Sequence, residues 1–548
     1  MNKKVVFIAD FFADEVLGGG ELNNEELIKI LKERGWELQK IKSQHVNTNF
    51  LLQNREASFI VSNFIGMDLD CKEWLIENGK YCIYEHDHKY VKSRNPAIYK
   101  NYMVPDSELV NYHFYKNAVQ VFCQSEYHKK IVLSNLQNDN ITSLGGNIWS
   151  NQAFDSLSKL SQMSKADKCS VMKSHIAHKN TIGAINYCKA KNEDYDLVES
   201  GNYIEFLQSL GKNKKLVFLP KTPETLSRIV VECRMMGMSV TTNELVGATS
   251  EDWFSLKGLE LIERMKIKKD EIVSVVEEKF LNVQKQNIED APIISVVSTF
   301  YKGEKFLEGL LEDIVNQTIF DKCELVLVDT ASPGKEKEIV EKYTKKYKNI
   351  KYYRYEERTN ATKGTNTAIK HARGKYVTIA NIDDRRHPQF LEKCLDTISV
   401  KGIDLVYADS IVVSQPNLTF DQITEIEKYD KLDHSSNEFS KENMIKCLPG
   451  PLPFWSKRMH EHCGFFDEEY KYASDWLMWL QFVDLGAKFK KINEVLGIYL
   501  EGGASQQNDI RQRQEEAKIF FNYSHIFGYN NFKQYEPYFS QFIKDTKK

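Results

Sequence analysis

Short apolar, β-branched runs alternate with amphipathic stretches along this chain of 548 residues. "KVVFIAD" (4–10) reads as a strand. After a glycine turn, "ELNNEELIKILKERG" (21–35) places Leu27, Ile28 and Leu31 on one helical face, and Gly35 stops it. Further strand-like runs are "SFIVSN" (58–63), "KYCIYEHDH" (80–88), "AVQVFCQS" (118–125), "KCSVMKS" (168–174), "KKLVFLP" (214–220) and "MSVTTN" (238–243). The polar, Pro-ended stretch over 281–291 predicts a linker, and the same pattern then restarts. "IISVVSTF" is followed by the helix "EKFLEGLLEDIVNQ", with Phe306, Leu307, Leu310, Leu311, Ile314 and Val315 in one stripe. "ELVLVD", "IKYYRYEE", the helical "GTNTAIKHAR" and the strand "KYVTIA" come next. Strands alternating with helices predict parallel α/β sheets. The expected organisation is a module over 1–280 with halves 1–165 and 166–280, a linker over 281–291, a module over 292–510, and a helical, aromatic-rich tail over 511–548.

Composition narrows the class. Apolar residues make up 42% and aromatics 12%, enough for more than one sizeable core. With 74 basic and 77 acidic residues, the net charge of −3 exerts no overall pull toward nucleic acid or an anionic membrane. Ten scattered cysteines without a C-x-x-C pair argue against a zinc ribbon and a secreted disulfide framework, so reduced thiols are expected. "MNKKVVFIAD" reads as a first strand rather than a signal peptide, and no apolar run approaches the roughly 20 residues that span a bilayer. A cytoplasmic protein, acting in solution or at the inner face of the membrane, is expected. The tail is expected either to pack on its own module or to make a peripheral membrane or homo-oligomer contact.

Chemistry gathers first at "VTIANIDDRRHP" (377–388), where a strand ends in Asp383 and Asp384. Adjacent carboxylates there suit a divalent cation, but a solvated turn has the same look. The surrounding motifs decide between them. "ISVVSTFYKG", "LVLVDTASPG", "KGTNTAIKHARGKYVTIANIDD", "GPLPFWSKRMHEHCGFFDEEYKYASDW" and "GAKFKKINEVLGIYLEGGAS" stand in one order. Residues 291 to about 510 therefore resemble the inverting family 2 glycosyltransferases of the GT-A fold. Sugar transfer from a nucleoside diphosphate needs a cation for the leaving diphosphate and a carboxylate to take the acceptor proton. The resemblance implies Asp383 as ligand of Mn²⁺ or Mg²⁺ and Asp475 as base. It places Asp384 near the ribose and diphosphate, or supporting the ligand, and puts Thr299, Tyr301 and Asp329 on the nucleotide. Gly450, Pro451 and Trp455 would lie under the sugar and acceptor, with Trp455 stacking on a ring. Asn381 stands where the family has its first Asp, and contributes a carbonyl without charge. Gly502 stands where many relatives carry a metal-binding His, which leaves Glu501 or water for that position.

Residues 1–280 resemble the family 4-like glycosyltransferases of the GT-B fold, a pair of Rossmann-like halves. "GGGE" opens the first helix, and the resemblance puts Gly19 and Gly20 against phosphate. In "FLPKTPETLSRIVVECRMMGMSVTTNELVGA", Glu224 and Glu232 form an E-x7-E pair, implied to meet the donor sugar and ribose. Lys179 resembles the basic residue that meets the diphosphate, while Met172 and Lys173 stand near the place of the usual Arg. No metal is implied for this module, and its role stays open between catalysis and a reduced acceptor-binding or scaffolding domain. His86 and His88 form an H-x-H pair without further ligands at zinc spacing.

These resemblances imply a bimodular glycosyltransferase using UDP- or GDP-linked sugars on a glycan or glycolipid acceptor. Two rivals remain at this stage. One is a non-catalytic nucleotide- or glycan-binding protein with decayed modules; the other is a nucleotidyltransferase, which releases pyrophosphate.

Overall fold

The structure is a computed structural model that describes residues 3–16, 18–199, 202–284, 291–502 and 510–543. The expected linker over 281–291 lies mostly outside the described residues, as do the last five residues of the expected tail. Two compact units emerge: Met1–Val104 with Val110–Asn287, and Pro105–Leu109 with Ile288–Lys548.

The N-terminal unit contains two open parallel sheets. β1 (Lys4–Ala9), β2 (Glu37–Lys42), β3 (Ser58–Val61), β4 (Lys80–Tyr84), β5 (Gln120–Cys123) and β6 (Ile141–Ser143) are ordered β2-β1-β3-β4-β5-β6. β7 (Ala166–Met172), β8 (Tyr195–Val198), β9 (Asn213–Val217) and β10 (Ser239–Thr241) are ordered β10-β9-β7-β8. Val5, Val6, Phe7, Ile8 and Ala9 are all fully buried, as expected of a strand covered on both faces. Each such aliphatic or aromatic side chain contributes about 1.5–3 kcal/mol by leaving water.

The two halves interleave rather than dividing cleanly near residue 165. Trp149, Ala153, Phe154, Leu157 and Leu160 belong to the core of the four-stranded sheet. Later in the chain, Ile272, Val273, Val276 and Phe280 return to the core of the six-stranded one. The helix Gly258–Val276 is long enough to serve both, burying Leu261, Ile262 and Met265 in one core and its last turns in the other.

The C-terminal unit is built on one eight-stranded sheet. Its strands are β11 (Ile294–Phe300), β12 (Cys323–Asp329), β13 (Ile350–Arg354), β14 (Tyr376–Ile379), β15 (Arg385–Arg386), β16 (Leu405–Val413), β17 (Phe454–Ser456) and β18 (Phe489–Leu500). The order is β13-β12-β11-β14-β17-β16-β18-β15. β11 pairs in parallel with β12 and β14, whereas β17 runs antiparallel between β14 and β16. The apolar stripe of Glu304–Val315 buries Leu307, Leu310, Leu311 and Ile314 against this sheet.

Beyond Ile510 the chain forms Ile510–Asn522, Ser524–Phe527 and Tyr529–Ile543. Phe520, Phe527 and Phe539 turn inward, and Phe527 stacks on Trp476 with ring centroids 6.1 Å apart. Much of the tail's aromatic content is thus spent on its own unit, though Tyr529 stays 74% exposed. Among the described residues no helix is long and apolar enough to cross a membrane.

Candidate active sites

In the C-terminal unit β14 delivers its carboxyl end to Asn381, Asp383 and Asp384. Asp384 is buried; its Oδ1 accepts from the Leu500 amide at 3.3 Å and its Oδ2 from the Asn381 side-chain amide at 2.9 Å. Burial, with Asp383 beside it, pushes the Asp384 carboxyl up from 3.8 to about 7. Asp383 is half-buried and makes no hydrogen bond or ion pair among the described residues. Two adjacent hard-oxygen groups, one without a direct ion-pair partner among the described residues and one destabilised as an anion, fit a divalent cation. Asn381 donates its side-chain amide to Asp384, which leaves its uncharged carbonyl oxygen as the atom that can accept or ligate.

Two buried arginines brace this loop. Arg385 donates to the carbonyls of Ile382 (2.9 Å) and Asp384 (2.8 Å) and also bonds Asn417. Arg386 donates to the carbonyls of Ile379 (2.6 Å) and Pro451 (3.4 Å). Asp313, 3.8 Å from Arg385, is pushed up to about 6 by burial. "DDRR" is the one signal for this brace in the sequence, but nothing there shows that both arginines point inward.

Asp475 is the second residue of the helix Ser474–Asp484, where the dipole favours an anion. Its Oδ1 accepts from the Trp476 amide at 2.8 Å, and the Cys447 thiol approaches Oδ2 at 3.6 Å. Burial nonetheless raises its carboxyl above the ordinary range. Asp475, Asn381, Gly450 and Pro451 line one cavity of about 610 Å³. Asp383 belongs to the loop beside that cavity without lining it. Gly450 takes φ +51°, a left-handed conformation that suits glycine.

Other predicted residues sit differently. Trp455 is a correction: it lies on β17, is fully buried, and packs edge-on against Trp479 at 5.2 Å. Its indole N–H donates to His460 Nε2 at 3.1 Å, so no face is open for a sugar ring. Asp329 at the end of β12 is also fully buried. Its Oδ1 accepts from the Ser332 amide (2.7 Å), and its Oδ2 from Tyr352 (2.8 Å) and Arg354. With both oxygens engaged, Asp329 holds this corner rather than facing open space. The Thr299 hydroxyl is enclosed and unpartnered, beneath Gly364, whose hydrogen stands where a Cβ would come within 2.1 Å of it. Tyr301 is half-buried under the Arg358 guanidinium, 4.2 Å from its ring. Glu501 and Gly502 are both exposed.

The N-terminal unit brings its five predicted residues together. Gly19, Gly20, Lys179, Glu224 and Glu232 line a cavity of about 520 Å³. Gly19 and Gly20 begin the helix Gly19–Glu33, whose first amides are donors without helical partners. A Cβ on Gly19 would lie 3.1 Å from the Arg228 side chain, and one on Gly20 3.3 Å from His86. The Lys179 ammonium pairs with both oxygens of Glu224, at 2.7 and 2.9 Å. Glu232 is buried and accepts from the Trp149 indole (2.9 Å) and the Tyr203 hydroxyl (2.7 Å).

Sequence reasoning passed over Arg228, halfway between the two glutamates. Its Nε lies 3.4 Å from Glu232 and its Nη1 donates to the Ile148 carbonyl at 2.8 Å, with the guanidinium over Trp149. Lys173 also lines the cavity and pairs with Glu199 at 2.7 Å. His86 and His88 do not converge on a metal. Burial lowers His86 to about 3 and His88 to about 4, and His88 packs edge-on against His128. Among the described residues the metal-type side-chain cluster is Cys169, Cys188 and Glu193.

Residues 295–461 match the family described as "Glycosyl transferase family 2". MJ1057 of Methanocaldococcus jannaschii, an uncharacterized glycosyltransferase, is 27% identical over 237 residues, which is 43% of this chain and 79% of that protein. The minor teichoic acid biosynthesis protein GgaB of Bacillus subtilis is 25% identical over 45% of this chain and 28% of its own length. Among solved structures, S. aureus TarS 1–349 in complex with UDP covers 42% of this chain and 68% of its own, at 20% identity and TM-score 0.34.

Proposed function

We propose that this protein, a glycosyltransferase by its family 2 domain and its relatives, assembles a surface or secreted polysaccharide from nucleotide-diphosphate sugars. The observation that carries the reading is the C-terminal cavity. Asp475 lines it beside Asn381, the residue that opens the Asp383–Asp384 loop. In this reading Asp383, with Asp384 behind it, holds Mn²⁺ or Mg²⁺. Such an ion would offset the charge that develops on the departing diphosphate.

The chain's own residues do the rest. Asp475 takes the proton of the acceptor hydroxyl as that oxygen attacks the anomeric carbon. The bond from that carbon to the diphosphate breaks, and configuration inverts. Burial makes Asp475 a stronger base than an exposed carboxylate, and the Trp476 amide fixes one of its oxygens. Arg385 and Arg386 keep the loop backbone in place from behind.

For the N-terminal unit, two parallel sheets and a cavity lined by Gly19, Gly20 and Lys179 support a GT-B-like pair of halves. There a diphosphate would meet helix-start amides and Lys179 without a metal. The test is release of nucleoside diphosphate from a panel of UDP- and GDP-sugars, with and without Mn²⁺ and mixed glycan acceptors. Metal-dependent release, abolished in Asp383→Ala and Asp475→Asn, supports the enzyme. Nucleotide binding with no turnover under any condition points instead to a binding protein, and pyrophosphate release to a nucleotidyltransferase.

A further inference from the structure

The segment beyond residue 510 lies outside the family match, yet it forms part of the cavity that holds Asp475. Gln512, Arg513 and Glu516 from the helix Ile510–Asn522, and Phe539 from the helix Tyr529–Ile543, line it. This wall is anchored to the turn just before the base. The buried Glu515 carboxylate accepts from the amides of Lys471 (2.9 Å), Tyr472 (2.7 Å) and Ala473 (3.2 Å), the turn that leads into Asp475.

Within the wall, Gln512 donates its side-chain amide to Glu516 Oε1 at 2.9 Å, and Arg513 donates to Glu516 Oε2 at 3.1 Å. Because Glu516 accepts only, it fixes the Gln512 amide nitrogen toward itself. The Gln512 carbonyl oxygen is left enclosed and without a hydrogen-bond partner. A buried acceptor in that state gains most from a ligand that donates, such as a hydroxyl. Charge sets the ligand's class further. Of the lining cations, Lys446 pairs with Asp433 and Arg513 with Glu516, while Asp475 adds an acid of its own, so nothing favours an anionic ligand. Tyr472, Tyr499 and Phe539 add apolar faces of the kind that a pyranose ring covers.

We propose that the tail helices form the acceptor subsite of this cavity. Gln512 is its specificity-determining residue, accepting a hydrogen bond from a hydroxyl of an uncharged sugar. The proposal rests on the reading of Asp475 as base, and its test separates the two. Binding of methyl glucoside, methyl galactoside and methyl N-acetylglucosaminide to the full chain is read by saturation-transfer NMR, with glucuronate and glucose 6-phosphate as anionic counterparts. Donor hydrolysis and transfer to the same glycosides are measured alongside. Gln512→Met keeps the side chain's length and removes the acceptor atom.

At least one neutral glycoside is expected to bind, more tightly than the anionic sugars. Gln512→Met is expected to weaken it about tenfold and lower the ratio of transfer to hydrolysis by a similar factor. Three results each overturn the proposal: no binding of a neutral glycoside, preference for an anionic one, or parallel loss of hydrolysis and transfer in Gln512→Met, which marks a merely structural role. Absence of metal-dependent hydrolysis in the wild type instead overturns the reading of Asp475, while the NMR result still decides the subsite.

Discussion

The two cavities are similar in size and differ in where an acid stands without an ion-pair partner. In the N-terminal one each cation has an acid partner: Lys173 with Glu199, Lys179 with Glu224, Arg228 with Glu232. An incoming diphosphate can take over those cations by exchanging one anion for another. In the loop beside the C-terminal one, Asp383 makes no ion pair among the described residues and burial raises the Asp384 carboxyl, while Arg385 and Arg386 donate to backbone carbonyls. In the proposed reading a diphosphate would meet that loop through a divalent cation. The contrast teaches that, in the proposed reading, two units of the same general α/β construction would meet the same leaving group in different ways. One would use fixed side chains and helix-start amides, and the other a borrowed ion.

The strongest way to break this comparison is at the base. Asp475→Asn should lower metal-dependent transfer by about 10³-fold, within the range for loss of a general base, with the circular-dichroism melt little changed. Because burial raises Asp475, the wild-type rate should climb with pH through a limb above the ordinary carboxylate range; a limb at 3.8 would remove the base assignment.

Next in size is the pH dependence of stability without metal. Asp384 has a folded value raised from 3.8 to about 7, so the folded state keeps a proton that the unfolded chain has lost. Stability from this group is therefore full below about pH 4 and falls as pH rises to 7, by about 2–4 kcal/mol. Urea titrations across that window should show the decline, and Asp384→Asn should flatten it. A profile equally steep in the variant would assign the titration elsewhere.

Smaller effects sharpen the N-terminal side. In the full chain carrying Asp383→Ala and treated with chelator, calorimetry should still detect nucleoside diphosphate. Lys179→Ala and Arg228→Ala should each weaken that binding about tenfold, the usual loss for one charge-assisted contact. Chelator-resistant binding untouched by either variant would place it outside this cavity. Smallest of all, Asn381→Asp should lower the Mn²⁺ concentration for half-maximal activity a few-fold, since it adds a carboxylate beside Asp383. No change in that midpoint would exclude residue 381 from the ion's surroundings.

Much of this was legible in advance because the signals are local. The run from Val5 to Ala9, the stripe from Leu307 to Ile314 and the strand before Asn381 announce their elements by periodicity alone. Gly19, Lys179 and Glu232 lie far apart in the chain, and it was resemblance, not spacing, that grouped them. The failures have a common cause. Trp455 looked like a ligand platform because an aromatic after a Pro-rich loop can be open or closed, and only pairing of β17 between β14 and β16 buries it. Thr299 and Asp329 stand at strand ends as expected, but the helix that carries Gly364 and the strand that carries Tyr352 and Arg354 close off their side chains.

By itself the sequence determined the α/β alternation, the restart after residue 292, the carboxylates at the end of β14 and the acid at the head of the helix Ser474–Asp484. Each of these depends on which residue types stand within a few positions of one another. The tertiary structure alone decided that Asn381 serves Asp384, that Arg228 enters the N-terminal cavity, and that the tail supplies Gln512 to the C-terminal one. Those outcomes turn on which polar atoms find partners across long separations, and whether an atom is paired, enclosed or open is a property of the packed chain rather than of its neighbours in sequence.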